Sequence, residues 1–176
     1  MAGKKQLIDL HINGERHEVA IESHWTLLDV VREQVGLTGS KPGCDVGDCG
    51  SCTMLIDGRP ELSCIQLAIE AVGKKILTIE GVADHGKLHP LQKQYNEWGA
   101  AQCGYCNPGI ILSVLPLLDK TLEPTRDQIK HALASNLCRC TGYTKIITAV
   151  EKAAAEMRQQ SPAQDKSRRT QPVGKK

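Results

Sequence analysis

The chain is poor in aromatic side chains. Its 176 residues include no phenylalanine, two tryptophans and three tyrosines, so aromatic residues make up only 3% of the sequence. Hydrophobic residues still account for 40%, and a core must therefore be built from leucine, isoleucine, valine and alanine. Small domains with such cores are marginally stable and often need covalent or metal cross-links. The eight cysteines are the candidates for that role.

A long apolar run is also missing. No segment reaches the roughly 18 consecutive apolar residues of a membrane-spanning helix. The first residues, MAGKKQLIDLHING, contain neither an apolar leader core nor a twin-arginine signal. We therefore predict a cytoplasmic protein without a membrane span, in a compartment where thiols stay reduced. Eight cysteines are then expected to serve metal or redox chemistry rather than a disulfide framework.

The excess of positive charge is confined to the C-terminal tail. The net charge is +2, yet residues 161–176 alone carry five basic residues and one acidic residue, so residues 1–160 are mildly acidic. The basic tail has no apolar periodicity, and we predict that it is disordered. It is short and has no aromatic side chains to stack on bases, so we expect no nucleic-acid partner.

Short alternating segments dominate the first 80 residues. LIDLHI and HEVAI alternate apolar and polar residues on either side of Asn13-Gly14, which predicts a β-hairpin. TMLIDGRPEL predicts a second hairpin that turns at Asp57-Gly58, and KILTIEGV a last strand. Apolar residues recur with helical spacing between Thr26 and Gly36. One helix packed across a mixed sheet predicts an α+β chain whose residues 1–80 form a β-grasp domain.

Helical periodicity begins after the segment EGVADHGK, which we interpret as a linker. Leu91, Tyr95 and Trp98 share one face of a first helix. Asn107-Pro108 predicts a cap followed by proline at the first position of a second helix. Pro116 lies inside the apolar run of that helix and is expected to kink or end it.

Two further helices follow. Thr125 and Gln128 form a capping-box pattern ahead of Ile129, Leu133 and Leu137. The last helix is predicted from the apolar positions Ile147, Val150, Ala154 and Met157. Residues 81–160 are therefore predicted to be an all-α four-helix bundle.

The first four cysteines lie in the N-terminal domain. Cys44, Cys49, Cys52 and Cys64 read C-x4-C-x2-C-x11-C, and the first three match the spacing of plant-type 2Fe–2S proteins. A cluster held by four thiolates is anionic, and backbone N–H groups must point at its sulfurs. Gly43, Gly47 and Gly50 are expected to allow positive φ and a close approach of those groups. A zinc site is the alternative, although zinc sites more often combine two Cys-x2-Cys pairs.

The second four cysteines lie in the helical half. Cys103, Cys106, Cys138 and Cys140 read C-x2-C-x31-C-x-C. CGYC by itself resembles a thioredoxin-type dithiol, but that motif needs a βαβ context that is absent here. Cys103 and Cys106 are predicted just before the helix that starts at Asn107, and Cys138 and Cys140 at the end of the helix that starts at Thr125. The dipole of a helix N-terminus favours an anionic cluster. Spacing alone leaves zinc open, while the neighbouring ferredoxin-type site favours a second iron–sulfur cluster.

Three motifs resemble those of a known family. GCDVGDCGSC, QCGYCNPGII and NLCRCTGYTKI are similar to the small iron–sulfur subunit of the molybdenum hydroxylases, the xanthine dehydrogenase and aldehyde oxidoreductase family. The resemblance covers roughly residues 5–157 and matches all eight cysteines. It implies a ferredoxin-like domain and a helical bundle with one 2Fe–2S cluster each. It also implies a large molybdopterin-binding partner subunit and a medium FAD-binding one.

The resemblance further implies roles for individual residues. Gln102 and Cys140 would contact the pterin of the molybdenum cofactor, with Cys140 also a cluster ligand. Asn107 stands where the family usually has threonine, and asparagine caps a helix equally well. Tyr105 and Tyr143 flank the second site and are expected to pack there and exclude water.

The predicted function is electron transfer within an oxidoreductase complex. Electrons would pass singly between a molybdenum site and FAD or another acceptor through the two clusters, while substrate chemistry takes place on a partner subunit. The alternatives are a stand-alone two-cluster ferredoxin and a binding module stabilised by zinc.

Overall fold

The computed structural model of the protein describes residues 4–160. The basic tail, for which the sequence predicts disorder, lies outside these residues. Five strands and five α-helices follow one another in the order β1 Gln6–Ile12, β2 Glu15–Ile21, α1 Leu27–Asp29, β3 Thr53–Ile56, β4 Arg59–Leu62, β5 Lys75–Leu77, α2 Pro90–Glu97, α3 Asn107–Lys120, α4 Arg126–Ala132 and α5 Thr144–Gln160.

The strands form one mixed sheet in the order β2-β1-β5-β3-β4. Both predicted hairpins are present, with β1 antiparallel to β2 and β3 antiparallel to β4. The first turns through Asn13 and Gly14 at φ of 53° and 85°, the left-handed geometry that suits a two-residue hairpin. Parallel pairing of β5 with β1 completes the β-grasp arrangement, so the predicted fold class is confirmed.

The last strand is shorter than KILTIEGV predicts. It ends at Leu77, and a 3₁₀ turn follows at Ile79–Gly81. The reason is a side chain from the first hairpin: Asn13 Oδ1 accepts the Thr78 N–H at 2.9 Å and its Nδ2 donates to the Thr78 hydroxyl at 3.0 Å. The Thr78 amide is therefore used by a side chain instead of a neighbouring strand.

The helix predicted after Thr26 begins where expected but changes its pitch. Thr26 is the N-cap of α1 and forms a capping box with Asp29. From Val30 to Gln34 the chain continues as one π-helical turn. Gly36 has φ of 81°, and the Leu37 amide then reaches back to the Val31 carbonyl at 3.0 Å. A left-handed glycine of this kind closes a helix by satisfying carbonyls that the helix leaves free.

Helices α2 to α5 form the predicted bundle around a second core, although two predicted core positions are exposed. Trp98 is 43% exposed because α2 ends at Glu97, which places the indole past the last turn. Leu137 is 59% exposed because α4 ends at Ala132, five residues earlier than the apolar spacing suggests.

Helix α3 corrects two further predictions. Asn107 is its first residue rather than its cap, and Cys106 occupies the cap position, where its side chain accepts no hydrogen bond from the first amides of the helix. Pro116 does not end the helix, which runs on to Lys120. Proline inside a helix costs about 3 kcal/mol, but apolar residues on both sides of it are buried in the core, among them Leu112, Val114 and Leu118. Burial of several such side chains at about 2 kcal/mol each outweighs that cost.

The two halves share a packed boundary at strand β3. All four residues of β3 are buried. Met54 and Ile56 face the core under α1, whereas Leu55 belongs to the core of the helical bundle. None of the helices within residues 4–160 has the length and apolar character to cross a bilayer.

Candidate metal centres

The loop before β3 gathers the first group of cysteines. Cys44 Sγ accepts the N–H groups of Asp48 at 3.3 Å and of Cys49 at 3.4 Å. Hydrogen bonds from the backbone amides, of which that of Val46 contributes most, lower the pKa of Cys44 to about 7. Amides that donate to a sulfur stabilise the thiolate, the form that binds metal.

Cys64 joins this group from the segment after β4. Burial, reinforced by the adjacent Cys52 thiol, raises the pKa of Cys64 to about 11. Cys52 and Cys64 are 1% and 7% exposed, and the Ser63 hydroxyl donates to the Cys52 carbonyl at 2.7 Å. The Cys44 thiol interacts with that of Cys49, and the Cys64 thiol interacts chiefly with that of Cys52 and also with that of Cys44, so the four thiols lie together.

Two glycines of this loop are required by its shape. A Cβ at Gly43 would lie 2.6 Å from Cys49 Sγ, so a side chain there would displace a thiol. Gly50 combines φ of 70° with a backbone contact: its Cβ would lie 2.2 Å from the Ser135 carbonyl oxygen of the helical half. Gly47 and Gly50 have the predicted positive φ, whereas Gly43 does not. The close contact at Gly50 is with the helical half of the chain.

The second group of cysteines lies at the start of α3 and in the segment between α4 and α5. Cys103 Sγ and Cys140 Sγ are 3.6 Å apart and both residues are exposed. Two thiolates bound at about 2.3 Å to one tetrahedral metal lie roughly 3.8 Å apart, so this pair fits a single metal ion. The prediction that Cys138 and Cys140 end the helix begun at Thr125 is wrong, since α4 stops at Ala132.

The other two thiols of this group are less exposed. Burial, together with the neighbouring Cys138 thiol, raises the pKa of Cys106 to about 12. Burial also raises the pKa of Cys138, but hydrogen bonds from the Thr141 hydroxyl and from backbone amides outweigh it, and the pKa is lowered. The Thr141 Oγ1 lies 3.1 Å from Cys138 Sγ. The second site therefore has a shielded pair, Cys106 with Cys138, and an exposed pair, Cys103 with Cys140.

The cysteines fit a two-iron cluster at each site. Four thiols in two pairs, one pair for each iron, are the donor set of a 2Fe–2S centre. Among residues 4–160, no three His, Cys, Asp or Glu side chains are grouped as ligands of one ion. Gln102 and Arg139 are also exposed, and each is next in sequence to a cysteine of the exposed pair, Cys103 or Cys140.

Sequence analysis missed the hydrogen bonds that three side chains form at the cluster loops. Asn136 is buried and its Nδ2 donates to the Gly50 carbonyl at 3.0 Å. Tyr143 packs against the bundle core as expected, whereas Tyr105 is 44% exposed. Their hydroxyls donate hydrogen bonds to the carbonyls of Asn136 and Pro42 respectively. No local pattern identifies these partners, because each bond depends on how the chain returns to the site.

Two family models match the chain, and they cover both sites. One is described as a 2Fe-2S iron-sulfur cluster binding domain and matches residues 11–95, which include the first four cysteines. The other is described as a 2Fe-2S binding domain and matches residues 78–151, which include the second four.

Relatives of known function share nearly the whole length of the chain. The nicotinate dehydrogenase small FeS subunit of Eubacterium barkeri is 48% identical over 149 residues, which cover 85% of this chain and 95% of that protein. The xanthine dehydrogenase iron-sulfur-binding subunit of Escherichia coli O157:H7 is 45% identical over 145 residues, covering 81% and 91%.

The fold is also similar to that of a solved structure. One chain of quinoline 2-oxidoreductase from Pseudomonas putida 86 superposes with a TM-score of 0.86 at 41% identity, covering 90% of this chain and 99% of that one. The protein therefore belongs to the molybdenum hydroxylase family, as a small iron–sulfur subunit with two 2Fe–2S clusters that transfers electrons in an oxidoreductase complex.

Proposed function

We propose that this subunit carries electrons between a molybdenum site on a large partner subunit and an FAD on a medium partner subunit. Cys44, Cys49, Cys52 and Cys64 hold one cluster, and Cys103, Cys106, Cys138 and Cys140 hold the other. The observation that carries the proposal is the convergence of eight thiols at two separate sites, one of which exposes two sulfurs. Each cluster, when bound, accepts and releases one electron at a time.

The exposed pair of the second site marks the side toward molybdenum. Cys103 and Cys140 are both exposed, as is Gln102 beside them. A sulfur ligand at the surface brings a cluster within reach of a cofactor on another chain. We propose that the Gln102 side chain hydrogen-bonds the pterin and that Cys140 is the nearest sulfur to it.

The first site is the side toward FAD. Its loop carries Val46, 65% exposed, and the neighbouring Ile65 is 61% exposed. Exposed apolar side chains beside a site are typical of a surface that another protein covers.

The direction of electron flow depends on the reduction potentials of the partner subunits' cofactors, and the chain can carry electrons in either direction. We also propose that the chain works as part of a hetero-oligomer in the cytoplasm.

Metal analysis of the native complex tests the cluster assignment. We expect about four irons per chain, with matching acid-labile sulfide and two distinct EPR signals after reduction. A colourless preparation that contains zinc would refute the iron–sulfur assignment and support a zinc-stabilised binding module.

Co-purification tests the partner assignment. The untagged chain, isolated from its own cells, is expected to elute with a subunit that contains molybdenum. Elution of the chain alone, with both clusters present, would refute the subunit proposal and favour a stand-alone two-cluster ferredoxin.

A further inference from the structure

The two loops that hold the cysteines touch each other through the backbone. The Leu137 N–H donates to the Cys49 carbonyl at 2.9 Å. Cys49 is a proposed ligand of the first cluster, and Leu137 is covalently joined to Cys138, a proposed ligand of the second. One hydrogen bond therefore separates the main chain of a ligand at one site from the residue next to a ligand at the other.

Asn136 fixes this contact from the helical side. It is 1% exposed, and its Nδ2 donates to the Gly50 carbonyl at 3.0 Å, one residue beyond Cys49. Its own carbonyl accepts the Tyr143 hydroxyl at 2.9 Å, and that hydroxyl accepts the Cys138 N–H at 2.9 Å. The backbone of Asn136 is thus fixed by hydrogen bonds within the second site, and its side chain binds the loop of the first site.

Nothing separates the two backbones at this point. A Cβ at Gly109 would lie 2.2 Å from the Gly50 carbonyl oxygen, and a Cβ at Gly50 would lie 2.2 Å from the Ser135 carbonyl oxygen. Both glycines are therefore needed for the halves to meet. We call this contact of Gly50 with Gly109 and Asn136, together with the Cys49–Leu137 bond, the seam.

A second bond crosses between the loops by a different route. The Tyr105 hydroxyl donates to the Pro42 carbonyl, and Tyr105 is 44% exposed. This bond also links a residue of the second site to the loop of the first. This connection passes through the whole Tyr105 side chain and does not include the Cys49–Leu137 hydrogen bond.

We propose that Asn136 is a positioning residue for electron transfer between the clusters. By donating to the Gly50 carbonyl, Asn136 keeps the Leu137 N–H hydrogen-bonded to the Cys49 carbonyl. An electron that passes between the clusters then crosses from one loop to the other through this single hydrogen bond. With both clusters bound, the step would be the transfer of one electron, which would oxidise one cluster and reduce the other without breaking a covalent bond. This inference rests on the proposed function, since it assumes that both clusters are bound.

The amide of Asn136 can be removed without leaving its partner unsatisfied. The Gly50 carbonyl also accepts the Thr53 N–H at 3.1 Å and the Thr53 hydroxyl at 2.7 Å. A buried carbonyl left without any partner destabilises a protein strongly, but this one keeps two. Asn136→Ala should therefore loosen the seam while the loop and its cluster remain.

The experiment compares Asn136→Ala with Tyr105→Phe in the full chain with both clusters bound. Each variant deletes one hydrogen bond between the same two loops. Because Asn136 is buried and Tyr105 is 44% exposed, their costs in stability differ, and the melting temperature of each variant is measured alongside. Iron content and the two EPR signals establish that the clusters are present. A laser flash then delivers one electron per chain from a photoreductant, and its redistribution is followed optically at wavelengths where the clusters differ. Hydrogen–deuterium exchange of the Leu137 amide is measured in parallel.

Asn136→Ala is expected to slow the redistribution of the electron, and Tyr105→Phe to leave it at the wild-type rate. Loss of one hydrogen bond should also speed exchange at the Leu137 amide about fivefold in the alanine variant. Equal slowing in both variants would overturn the proposal, because both hydrogen bonds would then act only by holding the two loops together. An unchanged rate in Asn136→Ala would overturn it too.

A wild-type measurement keeps the inference testable if Asn136→Ala fails to bind its clusters. In the loaded wild-type chain, the Leu137 amide is expected to be protected from exchange even though its side chain is exposed. Exchange at the rate of a free amide would overturn the inference. Absence of iron from the wild-type chain is a different outcome, which refutes the proposed function.

Discussion

The substitution Gly109→Ala tests the seam, because helix propensity and the close contact predict changes in melting temperature of opposite sign. Gly109 lies in the first turn of α3. Within a helix, replacing glycine by alanine ordinarily stabilises a protein by about 1 kcal/mol, because alanine loses less backbone entropy on folding. From helix propensity alone, the substitution should therefore raise the melting temperature.

The structure predicts the opposite result. The added Cβ would meet three backbone atoms of the sheet half: the Gly50 oxygen at 2.2 Å, the Gly50 carbonyl carbon at 3.1 Å and Ser51 Cα at 3.2 Å. Backbone atoms cannot rotate away, so the two halves must move apart. Overpacking costs about 1–3 kcal/mol, and a clash with backbone atoms that cannot rotate belongs at the upper end, about 2–3 kcal/mol. The cost therefore exceeds the gain in propensity by about 1–2 kcal/mol. We expect a melting temperature lower by about 2–8 °C in a chain of this length.

The assay is thermal unfolding of the cluster-loaded chain, followed by circular dichroism in the far ultraviolet. Ser113→Ala is the matched control in the same helix: Ser113 is 6% exposed, and its hydroxyl has no hydrogen-bond partner in the described chain. Removing an unpaired buried hydroxyl is neutral or stabilising. A melting temperature of Gly109→Ala at or above the wild-type value would refute the close contact between the halves.

Three further predictions concern the sites and one helix cap. Gln102→Ala should leave both EPR signals but slow reduction of the clusters by the molybdenum-bearing partner; an unchanged rate would contradict the proposed pterin contact. Cys103→Ser should abolish the EPR signal of the second cluster and spare that of the first, and loss of both would show that the sites do not assemble independently. His89 caps α2 by accepting the Leu91 N–H on Nδ1, and burial lowers the pKa of His89. Because the folded chain binds that proton less readily than the unfolded chain, stability should fall as the pH drops below about 6.5, and His89→Asn should show a smaller loss of melting temperature between pH 7.5 and 5.5.

Local patterns predicted much of the fold because their physical causes are local. Asn13-Gly14 and Asp57-Gly58 form hairpin turns since both residues of each pair adopt positive φ. Thr125 with Gln128 forms its capping box within a single turn. The fold class and the division of the cysteines into two fours follow from such signals.

Predictions that depended on distant residues were less accurate. Strand β5 ends early because Asn13, more than sixty residues away in sequence, binds Thr78. Leu137 fits the periodicity of α4 but lies outside it, where its amide is bonded to Cys49. Pro116 is accommodated because the helix around it is buried by the rest of the bundle. In each case a tertiary contact outweighed the local preference.

The sequence by itself determined which residues carry the chemistry: eight thiols, the glycines among them, and the motifs shared with the family. Only the tertiary structure decided which thiols form pairs, which pair is exposed, and how closely the two sites are joined. The 3.6 Å contact of Cys103 with Cys140 spans 37 residues of sequence, and Asn136 reaches across 86 to Gly50. Contacts over such separations form only when whole helices and strands pack, because their hydrogen bonds are too weak singly to close loops of that length.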